Sequence, residues 1–211
     1  MITLPFEKFN KIPRLSRDII ITEKIDGTNA QIYIASFQTL NSELSSDSYN
    51  EFFKKHTLAK IRKDGKTYYI FAGSRKRWLD CSSKGDNHGF AKWVKENANE
   101  LLKLGEGRHY GEWWGKGIQR GYNIDEKRFS LFNVGKWADI EVKPKCCSVV
   151  PVLYKGLFDT KMINWTIDNL KITGSIVSPG FKNPEGLVIF HTASSQLFKK
   201  TIFKDEKPKN L

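Results

Sequence analysis

Long apolar runs are missing from this 211-residue chain. No stretch of about 18 consecutive apolar residues exists, so no membrane-spanning helix is expected. The N-terminus, MITLPFEKFNKIPRLSRD, lacks a charged segment followed by an apolar one, so no secretory signal is expected either. Cysteine is scarce. Cys81 and the adjacent Cys146 and Cys147 are odd in number and lack metal-type spacing, which points to reduced thiols in a cytoplasmic compartment. His56, His88, His109 and His191 are scattered, so no structural metal is expected. Acidic residues are outnumbered. Against 35 Lys and Arg stand 23 Asp and Glu, and the formal charge of +12 favours polyanions: nucleic acid, nucleotide phosphates or acidic lipid surfaces. No repeat and no low-complexity segment stands out.

What is present suffices for a core. Hydrophobic residues make up 39% of the chain, with 14 Phe, 7 Tyr and 6 Trp, which excludes disorder for the bulk of it. Asp18–Lys24 and Ala30–Ala35 read as strands flanking the turn signal Asp26-Gly27, a strand–turn–strand unit with Lys24 at its mouth. The serine-rich run Phe37–Asn50 reads as an exposed loop. Strand character returns in Lys66–Arg75, RHYGEWW, RFSLFNV, SVVPVLYKG, PEGLVIFHT and QLFKKTIFK. Helical spacing of Phe90, Trp93, Val94, Ala98, Leu101 and Leu102 predicts a helix over His88–Gly105, and Met162–Ile172 predicts a second. The expectation is one α+β domain over 1–211, with largely antiparallel sheets flanked by helices.

The run TEKIDGTN, Thr22–Asn29, combines a lysine with an aspartate on the same strand face. A lysine attacks phosphorus only as the free amine, so a shaped site must surround it. On these eight residues alone, a solvated lysine beside a tight turn is the favoured reading. Further runs change the weighing. AGSRKRW (Ala72–Trp78), HYGEWWG (His109–Gly115), FSLFNV (Phe129–Val134), PEGLVIF (Pro184–Phe190) and LFKKTIFK (Leu197–Lys204) follow in order. Together with TEKIDGTN they resemble the ordered motifs of the covalent nucleotidyltransferases, the ATP-dependent ligases and messenger-RNA capping enzymes. The resemblance spans nearly the whole chain and is closest to the RNA-ligase branch, whose lysine motif often reads Glu-Lys-x-x-Gly-Thr-Asn.

That resemblance implies a nucleotidyltransferase, ATP-grasp-like ligase core and an ATP-dependent polynucleotide ligase acting on RNA. Its reaction would pass through lysyl-AMP and an adenylylated 5′ end. Lys24 would be the nucleophile, and Glu23 would accept from the adenine amino group. Asp26 and Asn29 would order the turn or reach the substrate strand. Arg75 would contact phosphate or ribose, Glu112 the ribose hydroxyl or a metal, and Phe132 would stack on adenine. Alternation along RFSLFNV lets only one of Phe129 and Phe132 line a pocket. Glu185 would hold Mg2+ or Mn2+. The family's Lys-x-Lys becomes Lys199-Lys200 here, adjacent residues on opposite faces, of which Lys199 is the choice for phosphate with Lys200 left open. Asn133 stands where many RNA ligases carry aspartate. Lys116 and Arg120, in a basic loop expected to be flexible, would touch nucleic acid.

The expected partners are RNA ends, nicked or single-stranded, with DNA as the alternative and no membrane. No separate C-terminal domain is expected, since about seven residues follow Lys204; an accessory protein could then supply grip on the substrate. A host cell under viral infection is one setting. The competing functions are a minimal DNA ligase, a guanylyl-transferring capping enzyme and a ligase-fold protein that binds nucleotide or RNA without sealing.

Overall fold

Runs of β-branched and aromatic residues build two sheets, and the chain crosses between them immediately after Lys24. The structure is a computed structural model that describes residues 4–43, 46–138, 143–203 and 205. Lys204, the last residue of the terminal lysine motif, lies outside the described residues. In the smaller sheet β1 (Asp18–Lys24) is central. It pairs antiparallel with β8 (Val152–Leu157) on one side and β9 (Gly186–His191) on the other, and β10 (Gln196–Thr201) forms the edge beyond β9.

The larger sheet has the order β3 (Ala59–Lys63), β4 (Lys66–Ser74), β2 (Thr28–Ser36), β5 (Gly107–Gly115), β6 (Lys127–Leu131), β7 (Cys147–Val149). Its pairs are antiparallel except β6 with β7, which run parallel. The α+β class with largely antiparallel sheets is therefore observed. The strand–turn–strand unit is not. β1 and β2 belong to different sheets, so Asp26-Gly27 carries a crossover and not a hairpin. A true two-residue hairpin joins β3 to β4 at Asp64-Gly65, both with positive φ, as the right-handed twist of a hairpin favours.

The larger sheet is covered on both faces. On one of these faces, alternation along β2 buries Ala30, Ile32 and Ile34 in a core shared with Phe90, Val94, Leu101, Phe129 and Leu131. On the smaller sheet Ile19, Ile21, Leu187 and Ile189 pack on Ile167 and Leu170 of α6 (Thr160–Thr173). Asp159 caps α6 by accepting from the Lys161 backbone N–H at 2.8 Å. The expected helix over His88–Gly105 is broken at Asn97 into α3 (Phe90–Glu96) and α4 (Ala98–Leu101), followed by a 3-10 turn Leu102–Leu104.

The expected loop Phe37–Asn50 is helical instead, with α1 (Phe37–Glu43) and the start of α2 (Ser46–His56). Leu40 is buried with Tyr33, Ala35 and Phe71, and Phe52 and Phe53 of α2 pack on the same cluster. The Ser36 hydroxyl accepts from the Thr39 N–H at 3.4 Å, so serine begins a helix here where composition suggested a coil.

Candidate active site

Lys24 ends β1 with its Nζ 2.6 Å from Glu185 Oε2, the two side chains being 25% and 13% exposed. Glu185 precedes Gly186, which pairs with Lys24 across β1 and β9. Around this pair runs a closed set of polar contacts. The Tyr122 hydroxyl accepts from the Asp26 N–H at 2.7 Å. Arg120 Nε donates to Asp26 Oδ2 at 2.7 Å, and the same guanidinium donates to the carbonyl and side-chain oxygens of Asn183 at 2.9 and 2.8 Å. Asn183 leads through Pro184 back to Glu185. Ser178 Oγ donates to the Tyr122 carbonyl at 2.7 Å, and the Ser178 N–H donates to Ser175 Oγ. Ser175 Oγ in turn donates to Glu23 Oε1 at 2.6 Å. Three separated segments, 23–27, 120–122 and 175–185, thus hold the lysine turn.

The lysine's carboxylate partner is Glu185, whereas Asp26 is bound by Arg120. Arg120 and Asp26 are therefore tied to each other, and the loop from Gly115 to Tyr122 is anchored by fully buried Ile118 and Tyr122, contrary to the flexible nucleic-acid loop expected there. Lys116 stays on the surface, 3.4 Å from exposed Asp125. Glu23 also departs from expectation. It is 1% exposed, and Ile176 and Val177 N–H groups donate to its Oε2 at 2.7 and 3.2 Å. This loop thus supplies three donors to its carboxylate, a structural use that the expected adenine contact did not include. Burial raises its pKa, opposed by the bonds from Ser175, Ile176 and Val177.

The larger sheet contributes a second wall. Asn29 pairs with Glu112, and Glu112 with Ser130, so these three share one cross-strand row. In the next row on that face Gln31 pairs with Tyr110, and the Phe132 N–H donates to the Tyr110 carbonyl at 3.0 Å. Phe132 is 38% exposed while Phe129 is buried in the core, which resolves the choice between the two rings. Trp113 and Trp114 are packed, Trp114 Nε1 donating to Ser130 Oγ at 2.8 Å. Asn133 caps α5 (Val134–Trp137) by accepting from the Lys136 N–H, a task its amide performs without a carboxylate. Arg77 is spent on the carbonyls of Gly85 and Asp86, whereas exposed Arg75 has no hydrogen bond or ion pair among the described residues.

The two walls meet at Gly27. Its N–H donates to Glu112 Oε1 at 3.1 Å, and a Cβ there would lie 2.5 Å from the Trp113 carbonyl oxygen and 2.7 Å from Trp114 Cβ. Only glycine allows the crossover to press this closely on β5. Register also separates the terminal lysines. Lys199 lies opposite Val188 and Thr22, on the face of Lys24, while Lys200 lies opposite Leu187 and Glu23 and approaches Asp205 at 3.8 Å.

Burial pushes the Glu112 carboxyl up to about 7, with Glu185 and Asp26 adding to the rise and Lys24 and the Gly27 N–H opposing it. A carboxyl raised in the folded state stabilises the protein below its ordinary value of 4.5 and loses that contribution as pH climbs through about 7. Urea midpoints should therefore fall between pH 5 and 7.5, by at most about 3 kcal/mol in stability. Glu112→Gln should flatten that fall; an unchanged slope would remove Glu112 as its source.

A divalent cation implied by the resemblance can be tested against this donor set. Glu112 and Glu185 offer hard oxygens in a crowded acidic neighbourhood that a cation would relieve, and magnesium in phosphate chemistry commonly needs only one or two carboxylates besides substrate oxygens and water. The residues fit such an ion. Tyr122, Ser175, Ser178 and Asn183 belong to the site but escaped sequence reasoning. For Ser175, Ser178 and Asn183 the one signal was the density of Ser, Pro, Gly and Asn between Gly174 and Glu185, which reads as an ordinary loop.

A family model described as RNA ligase matches residues 17–204. No curated protein matches the chain. Among solved structures, Naegleria gruberi RNA ligase is similar. A lysine-to-alanine variant with ATP and Mn gives a TM-score of 0.57 at 16% identity, covering 89% of this chain and 50% of that one. A glutamate-to-alanine variant with ATP and Mn gives 0.57 at 17%, covering 93% and 53%. A lysine-to-methionine variant with AMP and Mn gives 0.55 at 16%, covering 89% and 50%. The chain spans about half the length of these relatives. At such identity the likeness concerns the fold, two sheets with the lysine turn between them. The family match is independent of it and takes in every motif from the lysine turn to β10: the chain belongs to the RNA ligase family.

Proposed function

We propose that the protein is an ATP-dependent RNA ligase. The observation that carries this reading is Lys24, held against Glu185 at the crossover between two sheets, inside a family match that runs from residue 17 to 204. Lys24 Nζ attacks the ATP α-phosphorus, a P–N bond forms and pyrophosphate leaves. AMP passes to a 5′-phosphate end, and a 3′-hydroxyl then displaces it to make the phosphodiester. The solved relatives hold ATP or AMP with Mn, which supports the same ligands here.

Residue roles follow from the two walls. Phe132 stacks on the adenine, with Tyr110, itself 48% exposed, beside it. Asn29 and Arg75 face the ribose and phosphates, Arg75 through a guanidinium fork free to take phosphate oxygens. Lys199, on the Lys24 face, neutralises phosphate charge, whereas Lys200 faces away from it. Glu185 and Glu112 would hold Mg2+ or Mn2+, which supplies charge neutralisation on the phosphates when bound. To leave Glu185, the lysine ammonium must give up both its partner and a proton, and metal binding by that carboxylate would release it. Lys116 is the surface cation that suits an RNA phosphate.

The test is incubation with α-labelled ATP and manganese, followed by denaturing gels. A covalent protein–AMP adduct, and joining of 5′-phosphorylated RNA, are expected. Absence of the adduct sinks the enzyme reading, an adduct only with GTP favours guanylyl transfer, and joining of DNA but not RNA makes the protein a DNA ligase.

A further inference from the structure

A short period near the N-terminus escapes the motif reading. Residues 6–17 run Phe-Glu-Lys, Phe-Asn-Lys, Ile-Pro-Arg, Leu-Ser-Arg, four tripeptides of one pattern. Phe6, Phe9, Ile12 and Leu15 recur every third residue, and Lys8, Lys11, Arg14 and Arg17 recur in the same period. On a backbone with three residues per turn, such spacing lines the apolar side chains along one edge and the cations along the next.

The structure leaves this arm unburied. Phe6, Phe9, Ile12 and Leu15 are 92, 83, 76 and 65% exposed. Residues 4–14 form no helix or strand, and among the described residues nothing hydrogen-bonds or ion-pairs with them. The arm is rooted just before β1, where the Leu15 carbonyl lies 2.8 Å from His191 Nε2 and the Phe158 N–H donates to the Arg17 carbonyl. From that root, six strand residues lead to Lys24, about 20 Å away. The twelve residues extended would reach about 37 Å.

We infer that this arm is a strap for single-stranded RNA, its cations on the phosphates and its two outer rings stacked on bases. Charge complementarity selects this occupant. Four cations against one carboxylate, Glu7, repel a basic partner and suit a polyanion. Exposed rings interleaved with cations suit bases and phosphates together, since every base offers a face to an aromatic ring. An apolar protein groove would use the rings and leave four cations unanswered. The strap rests on the ligase reading for its RNA, but it lies outside the lysine site, and its RNA binding is measured without ATP.

The experiment measures binding of a fluorescein-labelled 20-nucleotide RNA to the full chain by anisotropy at several KCl concentrations. The quadruple variant Lys8→Gln/Lys11→Gln/Arg14→Gln/Arg17→Gln should reduce the slope of log affinity against log salt by about 3, near 0.7 for each of four phosphates. Phe6→Ser/Phe9→Ser should weaken binding about tenfold or more with the slope kept. Both variants should still form the AMP adduct at the wild-type rate, which shows that they fold. Wild-type affinity and slope in both variants would overturn the strap, as would failure of the wild-type protein to bind RNA. Binding to phosphatidylserine vesicles that depends on the arm, with RNA binding that does not, would overturn it in favour of a lipid surface. Failure of the wild-type adduct with RNA binding intact would remove the ligase reading and leave the strap standing.

Discussion

Lys24→Met forms no AMP adduct, a loss of about 10^4-fold or more, because the only atom that makes the P–N bond is gone. Methionine has similar length and no branch, and the strand is held by fully buried Ile19 and Ile21, so the fold persists. Its cost is the unpaired Glu185, which is 13% exposed and retains access to water. Lys24→Arg separates chemistry from packing. The guanidinium keeps the charge opposite Glu185 but stays protonated and cannot attack, so thermal stability should match wild type while the adduct is absent. The joining of RNA already carrying AMP on its 5′ end does not use the amine as nucleophile, and both variants should retain it. An adduct in either variant, seen by intact mass, would show that another residue is the acceptor.

Glu23→Ala gives the largest expected loss of stability. The carboxylate is 1% exposed and accepts from the Ser175 hydroxyl and from two backbone N–H groups. Its removal strands one buried donor, Ser175, and two part-buried ones, each costing about 1–3 kcal/mol if unanswered, so about 3–5 kcal/mol is expected once a water enters. Against a total stability of about 5–15 kcal/mol that is a large fraction, and Tm should fall by about 10 °C or more. Glu23→Gln keeps one acceptor oxygen and should cost about 1–2 kcal/mol. The same carboxyl tests the reading that gave it to adenine. If it contacted the base, Glu23→Gln would change the choice between ATP and GTP at unchanged Tm; if it serves to hold the 175–177 segment, Tm falls and the choice stays the same.

Much of this site was legible before any coordinates. Lys24, Glu112, Phe132, Glu185 and Lys199 were each singled out from a residue type in an ordered motif, and register or ion pairing brings them to facing walls. Period-two alternation put Phe129 and Phe132 on opposite faces, and burial shows Phe129 to be the core ring. The bonds of Glu23 to the 175–177 segment were not legible because local sequence cannot say what lies opposite a side chain; its partners are 152 to 154 residues away. Asp26-Gly27 was misread because a hairpin and a crossover use the same turn residues. The helices over Phe37–Glu43 and from Ser46 were hidden by serine, whose capping use is invisible in composition. Arg120 looked like a nucleic-acid contact since charge alone does not tell a free cation from one already spent.

The crossover at Ile25–Gly27 has a mechanical meaning. Lys24 ends β1 in one sheet and Thr28 begins β2 in the other, and Gly27 is wedged against β5. Any change of angle between the two walls therefore pivots close to the nucleophile, since three residues are too few to let the walls part there. The fastening of Arg120 to both Asp26 and Asn183 sets a second pivot near the first. A gap between sheets that opens about this axis moves most at its far rim and least at Lys24, so nucleotides of different size can be admitted without changing the position from which the amine attacks.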